Sequence, residues 1–395
     1  MSGRFDVVVV GSGIVGLGAA YAAVRRGLRV VVVDRTTEPV GATIRNFGHL
    51  CFTPQTGDAL RYGLAARELW LRLARDAGFW LRPSGTHVVA RHPDELALLE
   101  AAAARPASGF GDQPEIRVVD ADEMAGMTPV LRAGLAGGAV LPYDLQTNPR
   151  SAATAIAGHL ASLGVEFRMR TSVGRVHTGT VDTSRGAISA DTVVVAVNHD
   201  VDQLFPALAE SRGVVRCSLD MLRADIPLAR PLAAPLLTGW SLIRYRAFST
   251  LPEATAVRER LHSQRPDLAA IDLNQMYTQL PDGSVLVGDS HQRAVTASPF
   301  QQEATADALL DETERLFGSP ARVLERWQGV YASAPDEFLL AEPEPGVLAL
   351  TVTTGIGMTT GLGFAETTLA ERFGGLAGRG GRASTPTTLS TKGRA

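Results

Sequence analysis

The run Phe5-Asp-Val-Val-Val-Val10 leads directly into Gly11-Ser-Gly13-Ile-Val-Gly16, and this junction constrains the fold more than any other feature of the chain. A short β-branched apolar run reads as a buried strand. The glycine turn behind it opens a helical stretch, Ile14 to Arg26, and a second apolar run follows from Arg29 to Val33. Together these make a βαβ unit. The spacing gives each glycine a duty: Gly11 permits the tight turn, Gly13 lets backbone approach a pyrophosphate, and Gly16 lets the helix close on the strand. Ile14 and Val15 complete the turn between them. Asp34 ends the second strand, about 20 residues on, where a carboxylate can accept hydrogen bonds from an adenosine ribose. Two strands, the glycines and the acid in register indicate dinucleotide binding, where an isolated glycine cluster would not.

A chain of 395 residues exceeds the usual span of one hydrophobic core, so two closely packed domains are expected. Its 20 % charged residues and net charge of −3 give no electrostatic footprint for nucleic acid. Cys51 and Cys217 lie far apart without metal-ligand spacing, so neither a disulfide framework nor a metal site is expected, and a reducing cytoplasm suits the chain. The apolar run at Val7 to Val10 is too short for a signal peptide or a membrane span. The single lysine, Lys392, stands in a tail of low apolar content, residues 379–395, expected to be disordered.

Along the chain, Thr56 to Gly78 reads as an amphipathic helix with Leu60, Leu64, Leu69, Leu71 and Leu73 among arginines, and Gly78 as its stop. A helix near Pro93 to Ala104 and another behind Asn148-Pro149 follow, with strand-like pieces at Gly85 to Ala90 and Ile116 to Val119. Val165 to Val195 reads as strands ending in a run apolar enough to be buried on both faces. Leu236 to Phe248 and Met276 to Val287 read as the clearest strands of a second sheet, the latter punctuated by Pro281-Asp-Gly283.

Near the C-terminus, Thr354-Gly355-Ile-Gly357-Met358-Thr359 follows the strand Val347 to Val352 and opens a helix. Unpaired amides and the positive end of a helix dipole there suit an electron-rich group, and a flavin that gains negative charge on reduction is one. The second motif favours FAD over a nicotinamide cofactor.

The pieces GSGIVG, GATIRNFGHL, DLQTNPRSAATAIAGHLASLGVEF, ADTVVVAVN, WQGVYASAPDE and TGIGMT, in this order, resemble the superfamily of D-amino-acid oxidase, glycine oxidase and sarcosine oxidase over nearly the whole chain. The resemblance implies an α/β fold: a discontinuous Rossmann-type FAD-binding domain with an inserted α+β substrate domain containing a mixed or antiparallel sheet. The implied limits are 1–84, 145–213 and 327–378 for the first, and 85–144 and 214–326 for the second. Carried over, Arg45 and Asn46 lie along the flavin, Val173 contacts adenine by backbone, and Gly355, Gly357, Met358 and Thr359 hold the pyrimidine end. Arg35 beside Asp34 joins the cofactor set. Ala196 stands where relatives commonly have glycine, and no cysteine occupies the segment that attaches flavin in some relatives, so FAD is expected to be noncovalent.

Such enzymes oxidise carbon–nitrogen bonds: hydride passes from the carbon beside a neutral amine to flavin N5, and the imine hydrolyses. Oxygen or another acceptor then takes the electrons. The phrases TIRNFGHLCFTPQTG, TGWSLIRYRAF and LPDGSVLVGDSHQ resemble a narrower group associated with aminophosphonate breakdown, which implies a small anionic amine such as a 2-aminoethylphosphonate derivative. Arginine with histidine or hydroxyl partners suits a doubly charged anion.

The candidate catalytic residues are His49, Tyr245 and His291, and the candidate substrate-binding residues are Gln55, Arg244 and Tyr331. His291, which ends Gly288-Asp-Ser-His, is read as an anion donor or amine contact, with a turn histidine as the bland alternative. Strand alternation through SLIRYRAF puts Arg244 and Arg246 on one face and Tyr245 on the other, so that all three should not line one pocket. A glycine, sarcosine or D-amino acid oxidase is the rival enzyme reading, and a nonenzymatic flavin-binding subunit is the rival of another class.

Overall fold

The computed structural model describes residues 4–375 except 107, 112 and 113, so the tail reading lies outside the described residues. Phe5–Val10 forms the expected first strand, with Val7, Val8 and Val9 fully buried. Each such valine stabilises the fold by about 1.5–3 kcal/mol. The strand pairs in parallel with Val30–Val33 on one side and Gly186–Val195 on the other. Glu166–Arg168 and Val347–Thr354 extend this parallel array outward. Helices Ile14–Val24, Gly57–Ala77 and Gly357–Phe373 share one hydrophobic cluster with its strands.

From Val347–Thr354 the sheet continues antiparallel through the long strand Arg322–Glu344 to Val215–Asp225, Val285–Gly288 and Met276–Gln279. It then runs through Leu236–Leu237 to Thr86–Ala90, Gly137–Leu141 and Arg117–Asp120, making one mixed sheet of 16 strands. A separate cluster of buried apolar side chains covers this second half. The architecture is that of an α/β fold, a Rossmann-type parallel half joined through one mixed sheet to a largely antiparallel half.

Helix Gly57–Ala77 ends at Gly78, whose φ of 71° is left-handed, as its place in the sequence predicts. Its buried face, however, is Ala59, Tyr62, Gly63, Ala66, Leu69, Trp70 and Leu73, while Leu60, Leu64 and Leu71 are only partly covered. The reason is the partner helix Gly357–Phe373: a Cβ at Gly363 would stand 1.9 Å from the Tyr62 carbonyl oxygen, so the helices touch through small residues. Trp70 Nε1 also donates to the Met358 carbonyl at 2.9 Å, which braces the start of that last helix.

The strand expected over Leu236 to Phe248 is corrected. Only Leu236–Leu237 is extended; short helices Gly239–Leu242 and Arg246–Ser249 follow. The backbone turns there because Thr238 caps a turn, with Ser241 and Leu242 N–H groups donating to its carbonyl, and Ser241 Oγ reaching Asn274 and Gln275. These tertiary bonds override the apolar alternation. The stretch Met276 to Val287, read as strand punctuated by Pro281-Asp-Gly283, is an antiparallel pair, Met276–Gln279 and Val285–Gly288, joined around that turn. Among the described residues, no helix is long and apolar enough to cross a membrane.

Candidate active site

Two adjoining cavities of about 460 and 310 Å³ share Gly13, Ala42, Thr43, Ala196 and Asn198 at their junction. The smaller lies at the ends of the parallel strands, lined by Asp34, Arg35, Val173 and His199. The larger reaches across to the antiparallel half. Gly11 has a φ of 103°, and a Cβ there would stand 2.5 Å from the Ala196 carbonyl oxygen. A Cβ at Gly16 would stand 1.9 Å from the Gly11 backbone oxygen, so the helix sits against the turn only because Gly16 lacks a side chain. Helix Ile14–Val24 starts at Gly13 without a side-chain cap or an acid in its first turn, leaving its positive end to an anion.

Asp34 stands where the spacing puts it, yet both of its oxygens are taken. Oδ2 accepts from Ser12 N and Oγ at 2.8 and 2.7 Å, and Oδ1 from Thr36 N and Oγ1 at 2.9 and 2.8 Å. A carboxylate has about four lone-pair positions, so here it braces the glycine turn. Arg35 pairs with Asp200 at 2.6 Å and is largely exposed. Asn46 shapes its loop, its Nδ2 donating to the Ala42 and Thr43 carbonyls, while Arg45 Nη1 donates to the Gln328 carbonyl at 3.1 Å. Thr43 Oγ1 accepts from Ile14 N at 2.9 Å.

At the far end of the larger cavity, Gly355, with φ 75°, turns the chain into helix Gly357–Phe373, which also opens without a side-chain cap or an acid. Gly355, Gly357, Met358 and Thr359 all line the wall. Thr359 Oγ1 accepts from Cys51 N at 3.2 Å. Burial pushes the Cys51 thiol up to about 11, with the Asp144 charge adding to it.

The candidate side chains converge unevenly. Both ring nitrogens of His49 are engaged within the protein, at 3.1 Å from Met276 Sδ and 2.6 Å from Thr86 Oγ1, which itself donates to Asp144. Gln55 Nε2 donates to the Cys51 carbonyl at 2.8 Å. Tyr245 bonds the Cys51 thiol, and Tyr331 bonds the Cys217 thiol; burial raises both phenols far above their usual range. Contrary to the strand reading, Arg244, Tyr245 and Arg246 all line the larger cavity, because the segment is a turn between two short helices rather than an extended chain.

Arg244 belongs to a cluster that the sequence reading assembled only in part. Arg244 Nη1 bonds the Asp272 carboxylate and its carbonyl, and Arg293 Nη1 bonds the other Asp272 oxygen at 2.8 Å. His291 Nδ1 donates to the Asp272 carbonyl at 3.1 Å, which leaves Nε2 as the lone-pair nitrogen of a neutral ring. Burial, with Arg244 beside it, pushes the imidazole well below its usual range. Asp289 also lines the cavity, 5 % exposed, and burial raises its carboxyl to about 7 against the opposing pull of Arg244 and Asn274. Asp272, Asn274, Asp289 and Arg293 were not singled out from the sequence. Asp289 shares the segment that pointed to His291, whereas nothing around Ile271-Asp272-Leu273 marks its role.

Two adjoining cavities that meet at the glycine turn, with uncapped helix starts in their walls, are an arrangement suited to a dinucleotide. A family model described as FAD dependent oxidoreductase matches residues 6–372, so the chain belongs to that family, named DAO. A search of curated proteins finds no match. Among solved structures the chain is similar to glycine oxidase from Geobacillus kaustophilus, at TM-score 0.74 and 19 % identity, covering 93 % of this chain and 95 % of that one. It is also similar to L-proline dehydrogenase from P. horikoshii, at TM-score 0.74, 16 % identity and 94 % of both chains. L-alpha-glycerophosphate oxidase from Mycoplasma pneumoniae, with FAD bound, matches at TM-score 0.73 and 16 % identity, over 93 % of this chain and 95 % of that one.

The cofactor is therefore FAD, and the residues present suit it. Each cavity holds a buried polar atom that lacks a hydrogen-bond partner among the described residues: Thr351 Oγ1 in the larger and His199 Nδ1 in the smaller. Buried polar groups without partners are rare, and a polar ligand spanning both cavities would supply them.

Proposed function

We propose that this FAD-dependent oxidoreductase oxidises the carbon–nitrogen bond of a small amine bearing an anionic group, and that the anion is a phosphonate, as in 2-aminoethylphosphonate derivatives. The observation that carries the reading is the pair Arg244 and Arg293, both clipped to Asp272 on the cavity wall. Two guanidinium charges against one carboxylate leave this pole net positive. Each arginine commits only its Nη1 to Asp272 among the described residues, so its other N–H groups remain to donate. Two forks suit the three oxygens of a tetrahedral phosphonate better than the two of a planar carboxylate.

FAD, when bound, supplies the acceptor for a hydride. The residues proposed to hold it are Gly11, Gly13, Ile14, Val15, Gly16, Arg35, Arg45, Asn46, Val173 and Ala196, with Asp34 acting through the glycine turn that it braces, and Gly355, Gly357, Met358 and Thr359 at the other end; attachment is noncovalent. The limits 1–84, 145–213 and 327–378 for the cofactor domain, and 85–144 and 214–326 for the substrate domain, belong to the same proposal. Tyr245 and Tyr331 wall the cavity and exclude water from the amine. The neutral His291 ring presents a lone pair on Nε2, so it accepts from an amine N–H rather than donating to the anion. His49, through its ring nitrogens, and Gln55, through Nε2, bond within the protein and position the wall around Cys51 and Met276.

The test is anaerobic mixing of the holoprotein with aminophosphonates, glycine, sarcosine and D-amino acids while following flavin absorbance. Rapid bleaching by a phosphonate, with carboxylate amines slow, is expected. Preferential bleaching by a carboxylate amine would overturn the phosphonate and keep the amine chemistry. Bleaching by none would overturn both.

A further inference from the structure

Asp289 is a buried carboxyl that the anion-binding pole does not use. Its backbone is tied to Asn274 in both directions, Asn274 N to Asp289 O at 2.8 Å and Asp289 N to Asn274 O at 2.7 Å. Asn274 Nδ2 donates to Asp289 Oδ1 at 3.1 Å, and Ser241 Oγ donates to Asn274 Oδ1 at 2.8 Å, which fixes the amide so that its NH2 meets the acid. The carboxyl is thus held rigidly at the cavity wall. Its other oxygen lies 3.7 Å from His291 Nε2, too far for a direct hydrogen bond. Arg244 and Arg293 bond Asp272 instead, and no arginine pairs with Asp289 among the described residues. A buried carboxylate whose donors are all neutral, the Asn274 amide and its own backbone N–H, is left without a counter-charge, which is costly unless a cation arrives. The cation that belongs in this cavity, on the amine reading above, is the ammonium end of the substrate.

Resting on that reading, we infer that Asp289 is the proton acceptor for the substrate amine, taking one proton from the bound ammonium so that nitrogen regains its lone pair before the adjacent C–H bond is cleaved. One N–H bond breaks and its electron pair stays on nitrogen. One O–H bond forms on the Asp289 carboxylate, and the charges of acid and ammonium cancel. The anion pole at Arg244 and Arg293 and the acid at Asp289 then grip opposite ends of one small zwitterion.

The groups that face Asp289 support this division of labour. Arg244 and Tyr245 approach from the turn between the two short helices, Asp272 from the segment before Met276–Gln279, and Tyr331 and Cys217 from the long strands; His291 lies two residues further along its own segment. Burial raises both phenols and the Cys217 thiol and lowers the imidazole, so none of them is a ready base near neutrality. Asp289, with burial raising it and Arg244 and Asn274 opposing, titrates at about 7. A base matched to the working pH transfers protons most effectively.

The experiment measures the limiting rate of anaerobic flavin reduction from about pH 5 to about pH 9, for wild type and Asp289→Asn, with two aminophosphonates of different ammonium acidity. Asparagine keeps the shape and can still accept from Asn274. Wild type is expected to lose rate as pH falls through about 7, at the same position for both amines. The variant is expected to be slower by about 100-fold or more at neutral pH, and to recover as pH approaches the ammonium pKa of each amine. A variant with wild-type rate and profile overturns the assignment of Asp289 and leaves the amine reading standing. If D289N does not fold or retain FAD, wild type alone decides: an acid limb that moves with the acidity of the amine, or no limb at all, overturns the inference. A wild-type flavin that no amine reduces overturns the amine reading, and the inference with it.

Discussion

Replacing Arg244 by methionine tests the anion pole, because methionine keeps the apolar stem and removes the fork. Arg244 is 20 % exposed and shares Asp272 with Arg293, so its partner is not orphaned by the change. The exposure of Asp272, 43 %, limits the cost to stability to about 0–1 kcal/mol. A hydrogen bond between charged groups contributes about 1.5–3 kcal/mol, so the dissociation constant of an aminophosphonate should rise by about 10- to 150-fold. The readout is anaerobic titration of the flavin spectrum with an alkylphosphonate that lacks the amine, which isolates the anion. A second consequence has a definite sign. The Arg244 charge opposes the burial that raises Asp289, so its removal lets Asp289 rise further, and the acid limb of flavin reduction should move to higher pH. Wild-type affinity for the alkylphosphonate in R244M would refute the anion pole, and an unmoved limb would refute the coupling to Asp289.

Three further outcomes are expected. Gly16→Ala places a Cβ 1.9 Å from the Gly11 oxygen, where backbone and not a flexible side chain must give way; a cost of about 1–3 kcal/mol or more should appear as a lower melting temperature and a reduced flavin-to-protein ratio, and unchanged values would sink the close-approach argument. Denaturation should release all the flavin into solution, since the buried Cys51 thiol, pushed up to about 11, is not the thiolate that could attack a cofactor near neutrality; flavin retained on the precipitated chain would contradict this. Asp289, at about 7 when folded against 3.8 for a free carboxyl, binds its proton more tightly in the folded chain. Its ionisation therefore opposes folding, and stability from this group is lost as pH rises from about 4 through about 7. Asp289→Asn apoprotein should melt higher than wild type at pH about 8, by a few kcal/mol at most, with the gap closing near pH about 4; equal melting at both would contradict the sign.

Local patterns were legible wherever a residue acts on its own neighbours. The run Phe5–Val10, Gly11, Gly16 and Gly78 each report a short-range steric or periodic requirement, and the structure meets them. The same holds for Gly355 with its left-handed φ and for Asn148, whose side chain accepts from Arg150 N at the start of its helix. Reading failed where distant segments compete for the backbone. Arg244, Tyr245 and Arg246 alternate like a strand, yet Ser241 bonds Asn274 and Gln275, more than 30 residues away, and the chain turns. His49 was singled out for its chemistry, but Thr86 and Met276 occupy its ring nitrogens.

The sequence by itself thus determined the βαβ start, the paired glycine turns and the α/β fold that holds FAD. Steric limits on φ and the two periods of helix and strand are properties of neighbouring residues. Only the tertiary structure decided that Asp272 joins Arg244 to Arg293, and that Asn274 holds Asp289 at the same wall. Those positions come from segments distant in the chain, around Arg244, Asp272 and Asp289, and their electrostatics follow from burial and from charges that chain order does not bring together.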